Sequence, residues 1–387
     1  MNQPKLAFFH APLMDRLSYP ADCPFKTQRV GLTRNRLRYL GLLHGPGRME
    51  IEPAAATLEQ LREYHSPAYL EELRRASDGE LTVAGFEMGL AGPDTPAFPD
   101  LFAYGALACG SALAAADLLL AGEVRTAFSL AGGFHHAMAE KASGFCYLND
   151  AVLACMRLAR AGKRVLYLDI DAHHGDGVQE AFYRRSDVLT ISLHESGTTL
   201  FPWGGFENEI GEGDGRGFNV NVPLPAWTYD QAFLTAFEEI AVPLALAYQP
   251  DVVVLELGMD TLAGDPLTHL QMTNNAVVDV LGHVLGLGKP LLVLGGGGYH
   301  VENTVRAWCL AWRTCCGDND DETSAFAIGG MMLGSSEWAG GLRDREAPVS
   351  PDQRQAVGGP LAAAIQRVKH GIFPHHGLTV EAPASVI

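Results

Sequence analysis

Residues 164–177 read RVLYLDIDAHHGDG, and the change halfway along decides what this chain can be. RVLYLDI (164–170) is apolar without alternation, the mark of a strand covered on both faces, since an exposed face would call for a polar residue at every second position. Asp169, Asp171, His173, His174 and Asp176 then crowd the place where that strand ends. In extended backbone, residues two apart point to one side, so Asp171 and His173 converge. A carboxylate and an imidazole that converge begin a metal site. They equally begin a capped helix, and the dyad by itself leaves both readings open.

Five further runs share the character of the first: KLAFF (5–9), RTAFSL (125–130), VLTISL (188–193), DVVVLEL (251–257) and PLLVLG (290–295). Helical patterns fall between them at 102–121, 149–161, 229–248, 273–288 and 302–314. The alternation predicts an α/β fold in one domain, a mainly parallel central sheet with helices on both faces. One domain over 1–387 is the economical reading, with every expected strand falling within about 5–315. After Thr314 the character shifts to the acidic GDNDDETSA and then to Gly- and Pro-punctuated stretches. A helix near 352–368 is expected to bring this extension (about 316–387) back onto the core.

Open parallel sheets bind ligands beyond the carboxyl ends of their strands. The polar chemistry falls there. Asp169 and Asp171 end one strand, and Ser192 and His194 end another. Asp260 follows DVVVLEL, His135 and His136 follow RTAFSL, and Tyr299 follows PLLVLG across four glycines.

Composition narrows the partners. Hydrophobic residues make up 47% of the 387 and charged residues 19%, enough for a sizeable core. The formal charge of −17, from 45 acidic and 28 basic side chains, repels phosphate backbones and anionic lipid, so neither nucleic acid nor membrane is expected as a partner. Seven scattered cysteines, with no CxxC, do not build a disulfide framework. MNQPKLAFFHAP has no secretory pattern, and the apolar stretch 106–122 carries Asp117 and reads as a buried helix. A reduced, cytoplasmic protein is the expectation.

Adjacent histidines beside a metal can divide work, one moving protons and one stabilising charge, provided each has an acceptor on its second nitrogen. Asp169 and Asp176 are available to His135 and His136, and Asp260 is the natural third metal ligand. Tyr299 after a glycine turn can donate to a developing oxyanion. Each element also has a plain reading alone: idle loop histidines, or an aromatic that packs.

Together, GGFHHA, SGFCYLNDAV, LDIDAHHGDGV, ISLH, FNVNVP, GMDTLAGDPL and LGGGGY, in this order, resemble the zinc-dependent histone deacetylases of class I type over residues of about 5–315. CPFKTQRV, HSPAYL (65–70) and DPLTHL (265–270) look most like the bacterial acetoin-utilisation branch. The resemblance implies the arginase/deacetylase-like fold and one Zn2+ held by Asp171, His173 and Asp260. It makes His136, backed by Asp176, the general base and then the acid for the leaving amine. His135, backed by Asp169, is chiefly electrostatic, and Tyr299 binds the carbonyl oxygen. It further implies an acyl-lysine tube lined by Gly144, Phe145, Phe201 and Leu267, with Asp94 gripping substrate amides at the rim. Structural K+ is implied at one or two sites: Asp169, Asp171, His173, Ser192 and Leu193 at the first, Phe182, Val188 and Phe218 at the second. Arg29 lines an internal exit channel by the same match, although an ordinary salt bridge would explain it as well.

The implied activity is removal of acetyl or other short acyl groups from lysine in proteins or peptides. The alternative is an acetylpolyamine or other small-amide deacetylase on the same fold. A silent acyl-lysine binder is disfavoured by the full set of ligands, histidines and tyrosine. A two-manganese ureohydrolase is disfavoured because position 175 is Gly and no aspartate stands two residues after Asp260. One departure stands out. Where class I members carry FPGTG, this chain has Phe201-Pro202-Trp203-Gly204-Gly205, which would reshape the mouth.

Overall fold

The computed structural model describes residues 5–317 and 341–380. Eight strands form one sheet in the order β2-β1-β3-β8-β7-β4-β5-β6: β1 Leu6–Phe9, β2 Arg48–Ile51, β3 Thr126–Ser129, β4 Val165–Asp169, β5 Val188–Glu195, β6 Asn219–Leu224, β7 Val252–Glu256 and β8 Leu291–Leu294. Every neighbouring pair is parallel. All carboxyl ends therefore lie along one rim.

The two strands that the sequence pattern missed, β2 and β6, are the two edges of the sheet. An edge strand pairs on one side only, so it tolerates polar residues and proline. RMEI in β2 is half-buried throughout, and NVNVPL in β6 carries Asn219, Asn221 and Pro223. Both fail a test for continuous apolar runs.

The helices cover both faces: α1 Arg29–Tyr39, α2 Leu58–Leu61, α3 Pro67–Ser77, α4 Val83–Glu87, α5 Leu101–Leu120, α6 Asp150–Arg160, α7 Asp176–Phe182, α8 Asp230–Ala236, α9 Val242–Tyr248, α10 Asn274–Gly286, α11 Val301–Cys316 and α12 Pro351–Ile372. Alternate residues of β4 show the layering. Leu166 and Leu168 enter the larger hydrophobic cluster, while Val165 and Tyr167 enter the one on the opposite face. α5 is apolar and long enough to cross a membrane by length and composition, yet 72% of its most apolar window is buried within the fold. The expected helix over 229–248 is divided into α8 and α9 by a π turn, Phe237–Ala241. Pro243, at the start of α9, has no N–H to give the carbonyl four residues back, and the backbone widens there.

The helix expected near 352–368 spans Pro351–Ile372, started by Ser350, whose side chain accepts from Gln353 N–H. It is tied down by Arg367–Glu207 and Lys369–Glu239 ion pairs, both at 2.6 Å. Ahead of it, Asn274 donates to Leu342 O at 2.7 Å. The acidic GDNDDETSA stretch lies, apart from Gly317, outside the described residues.

Candidate active site

The dyad read from DIDAH forms as expected, and a third side chain joins it. His173 Nδ1 lies 3.2 Å from Asp171 Oδ1 and 2.8 Å from Asp260 Oδ2. One ligand atom from each residue falls within 4.8 Å of the other two, and all three residues are buried. Backbone amides aim the carboxylates: Gly297 N–H donates to Asp171 Oδ2 at 2.6 Å, and Ala172 N–H to Asp260 Oδ1 at 2.9 Å. Such outer contacts fix ligand geometry before an ion arrives.

The glycine turn after β8 exists for this closeness. A Cβ on Gly297 would stand 2.1 Å from Asp260 Oδ2, and one on Gly258 would stand 2.1 Å from Asp171 Oδ2. Two carboxylates and an imidazole packed where water is excluded, with no Lys or Arg among their hydrogen-bond partners in the described residues, fit a divalent cation.

Both histidines that follow β3 sit beside the triad. His135 Nδ1 is 2.9 Å from Asp169 Oδ2, and His136 Nδ1 is 2.7 Å from Asp176 Oδ1. With each Nδ1 committed to a carboxylate, the Nε2 atoms face one another at 3.0 Å, so only one of them can carry a proton. Their environments separate them. Burial works against charge on both. At His135 it is overcome by Asp169 and Asp171, which hold the imidazole well above its usual value. At His136 burial prevails, reinforced by His135 and only opposed by Asp176, and the pKa falls. These surroundings favour the neutral form at His136 and the charged form at His135.

Asp169 does more than hold His135. Its Oδ2 also accepts from Tyr167 OH at 2.8 Å and its Oδ1 from Asp171 N–H at 3.0 Å. Its Cα partners across the sheet are Ser192 and Glu256. Of the residues the resemblance gives to a first cation, Asp169 ends β4, Asp171 and His173 follow it, and Ser192 and Leu193 lie on β5, with Ser192 Oγ 2.8 Å from His194 Nδ1. In the second set, Phe182 O accepts from Arg185 N–H at 2.9 Å and Phe218 O from Thr190 N–H at 3.0 Å, with Val188 at the start of β5.

Aromatic rings surround the triad. Phe201 lies 5.1 Å from the His136 ring and 6.4 Å from that of His173. Tyr299 lies 6.2 Å from His173 and 5.8 Å from Phe145. Gly144 sits against His136 and Phe201 so tightly that a Cβ would be 2.5 Å from one and 2.9 Å from the other. Phe145 takes a left-handed backbone, φ 63°, anchored by Tyr19 OH on its carbonyl at 2.8 Å.

Asp94 faces the wall loop: its Oδ2 accepts from Gly144 N–H at 3.0 Å and its carbonyl from Phe145 N–H at 2.9 Å. It holds the wall loop in place. Leu267 is half-buried on the loop after Asp260. The salt-bridge explanation of Arg29 is corrected: its guanidinium donates to Gly298 O at 2.7 Å and Gly296 O at 2.9 Å, with its plane between Phe25 and Trp308. It braces the glycine turn from behind.

Two site residues escaped the sequence. Asp265 Oδ2 accepts from Tyr299 N–H at 2.7 Å and its Oδ1 from Leu267 N–H at 2.9 Å, tying both to one carboxylate. Its only signal was a GDP turn. Glu256 ends β7 fully buried, with neither carboxylate oxygen hydrogen-bonded, and burial pushes its carboxyl well up. A lone acid in an apolar strand was the available hint.

Comparison with known proteins agrees with this geometry. A profile of the histone deacetylase domain matches residues 23–315. The chain is 42% identical to histone deacetylase 8 of Xenopus tropicalis over 260 residues, 67% of this chain and 70% of that protein. It is 38% identical to the acetoin utilization protein AcuC of Bacillus subtilis over 313 residues, 79% of this chain and 80% of that protein. The crystal structure of a histone deacetylase homologue from Aquifex aeolicus superimposes with a TM-score of 0.81 at 32% identity, covering 93% of this chain and all of the other. A homologue complexed with SAHA gives 0.80 at 32%, covering 94% of this chain. With one parallel sheet, a triad of metal-ligand type and paired histidines on its rim, the chain belongs to the histone deacetylase family, of class I type and near the acetoin-utilisation branch.

Proposed function

We propose that this chain hydrolyses acetyl or other short acyl groups from the side-chain amine of lysine in polypeptides, with zinc at Asp171, His173 and Asp260 and potassium as a structural ion. The single observation that carries the reading is geometric: two buried histidines, each held by its own carboxylate, stand 3.0 Å apart beside a triad of metal-ligand type. A bound divalent metal supplies Lewis acidity at the acyl carbonyl and a stronger nucleophile at neutral pH.

The protein's own groups do the rest. Neutral His136, oriented by Asp176, takes the proton of the attacking water, and the same nitrogen then delivers it to the leaving amine. His135, held charged by Asp169, stabilises negative charge without moving a proton. Burial holds the Tyr299 phenol well above its ordinary pKa, with Asp260 and Asp171 adding to the effect, so it stays protonated and can donate to the oxyanion. Gly144, Phe145 and Phe201 offer flat apolar walls to a slender neutral stem, which suits the methylenes of an acylated lysine.

Turnover of an acetyl-lysine peptide against acetylputrescine, with the metal-loaded protein, tests the substrate class. Higher kcat/KM on the peptide is expected, and the reverse order would install the polyamine reading. Tyr299→Phe should lower kcat at unchanged metal content. Full activity in that variant would remove the proposed oxyanion donor.

A further inference from the structure

Trp203 is the one described tryptophan without a partner. Trp308 Nε1 donates to Leu257 O and Trp312 Nε1 to Leu42 O, both at 2.9 Å, and both rings are buried. Trp227 is half-exposed but lies 6.1 Å from the His269 ring. The indole of Trp203 is 64% exposed, and among the described residues it meets no ring, no cation and no hydrogen-bond acceptor.

Its backbone makes this more informative. Trp203 adopts φ 66°, the left-handed region in which an L side chain is strained and glycine is not. The adjoining Gly204 has open space where a Cβ would be, so nothing crowds the turn into needing a large residue. The chain thus places a large apolar side chain where most of it is exposed and where the backbone favours glycine. Such a combination points to a role in contacting something outside.

The location says what. Trp203 N–H donates to Leu200 O at 3.2 Å, closing the turn that presents Phe201, and the Phe201 ring faces His136 and His173. Trp203 is therefore on the outer side of the same turn whose inner side lines the chemical centre. A substrate ending at the acylated amine would fill the inner side only. A substrate with chain on either side of its acyl-lysine must lie across the mouth, where this turn stands.

We infer that Trp203 is a specificity-determining residue that contacts the polypeptide flanking the acyl-lysine, so that the enzyme prefers peptides over single-residue acyl-lysine. This rests on the deacetylase reading above and deepens it. The indole offers a flat, amphipathic face that packs on peptide backbone and aliphatic side chains at little entropy cost.

The test compares kcat/KM for a nine-residue peptide with a central acetyl-lysine and for acetyl-lysine capped at both ends, in wild type, Trp203→Gly and Trp203→Phe. Trp203→Gly relieves the backbone, so its folding is secure. The expected result is a fall of about tenfold in the peptide-to-single-residue ratio for Trp203→Gly, a change of roughly 1.4 kcal/mol. The fall should come through KM of the peptide. Trp203→Phe should restore most of the ratio. A ratio unchanged in Trp203→Gly, or a glycine variant losing both substrates equally, would overturn the inference. Wild type that cleaves neither substrate would instead remove the deacetylase reading itself.

Discussion

Asp176→Asn isolates the claim that His136 is the proton carrier. Asp176 Oδ1 accepts from His136 Nδ1 at 2.7 Å and from Gly177 N–H at 3.1 Å. Asparagine keeps the shape and an acceptor while removing the charge. Hydrogen bonds to ionised groups contribute about 1.5–3 kcal/mol and neutral ones about 0.5–1.5, so imidazolium at His136 loses about 1.5 kcal/mol, about one pKa unit. Burial already holds His136 below its usual value, with His135 reinforcing it and Asp176 opposing, so removal of the opposing charge moves it further down. A base is active when unprotonated, so the acid limb of kcat/KM should move about one unit lower in pH. The plateau should fall at least about tenfold, because the imidazolium formed as water surrenders its proton is destabilised by the same energy. The assay is kcat/KM on an acetyl-lysine peptide from pH 5 to 9, with metal content measured in parallel. An acid limb that moved upward, or an unchanged plateau, would refute the assignment of His136.

Three further outcomes follow from other parts of the structure. Gly297→Ala drives a Cβ into the space of Asp260 Oδ2, 2.1 Å away, and should cut metal stoichiometry to well below one per chain while far-ultraviolet dichroism holds. Removing metal with a chelator should lower Tm, because two buried aspartates lose their cation; an ion at about a thousand times its Kd contributes about 4 kcal/mol. Acid should destabilise the fold through His65, which is buried, accepts from Asn149 N–H at 3.0 Å and is pushed by burial to about 4. The unfolded chain takes up a proton near 6.5 that the folded chain refuses, so up to about 3 kcal/mol of stability is lost as pH falls from 6.5 toward 4. Denaturant titrations of wild type and His65→Gln across that range should show a shallower pH slope in the variant.

What the sequence disclosed and what it concealed divide along physical lines. Asp171 and His173 were legible because strand periodicity puts alternate residues on one side, a local rule. Six strands were legible because a fully covered strand must be apolar along its whole length. β2 and β6 were not, because an edge needs no such purity. Apart from the resemblance, Asp260 could be nominated through its position beyond a strand, and its approach to His173 Nδ1 depends on strand order, with β7 beside β4. Asp265 and Glu256 left only faint signals for a related reason: one acts through backbone amides and the other is set by burial, and neither role fixes a pattern of residue types. The four glycines of LGGGG show the boundary most sharply. Their number advertised a tight turn, but the demand at Gly297 comes from two carboxylates donated by other strands, 2.1 and 3.0 Å from where its side chain would be. The metal site thus constrains that turn as firmly as the turn shapes the site. A substitution chosen from the loop sequence alone would misjudge where the cost falls.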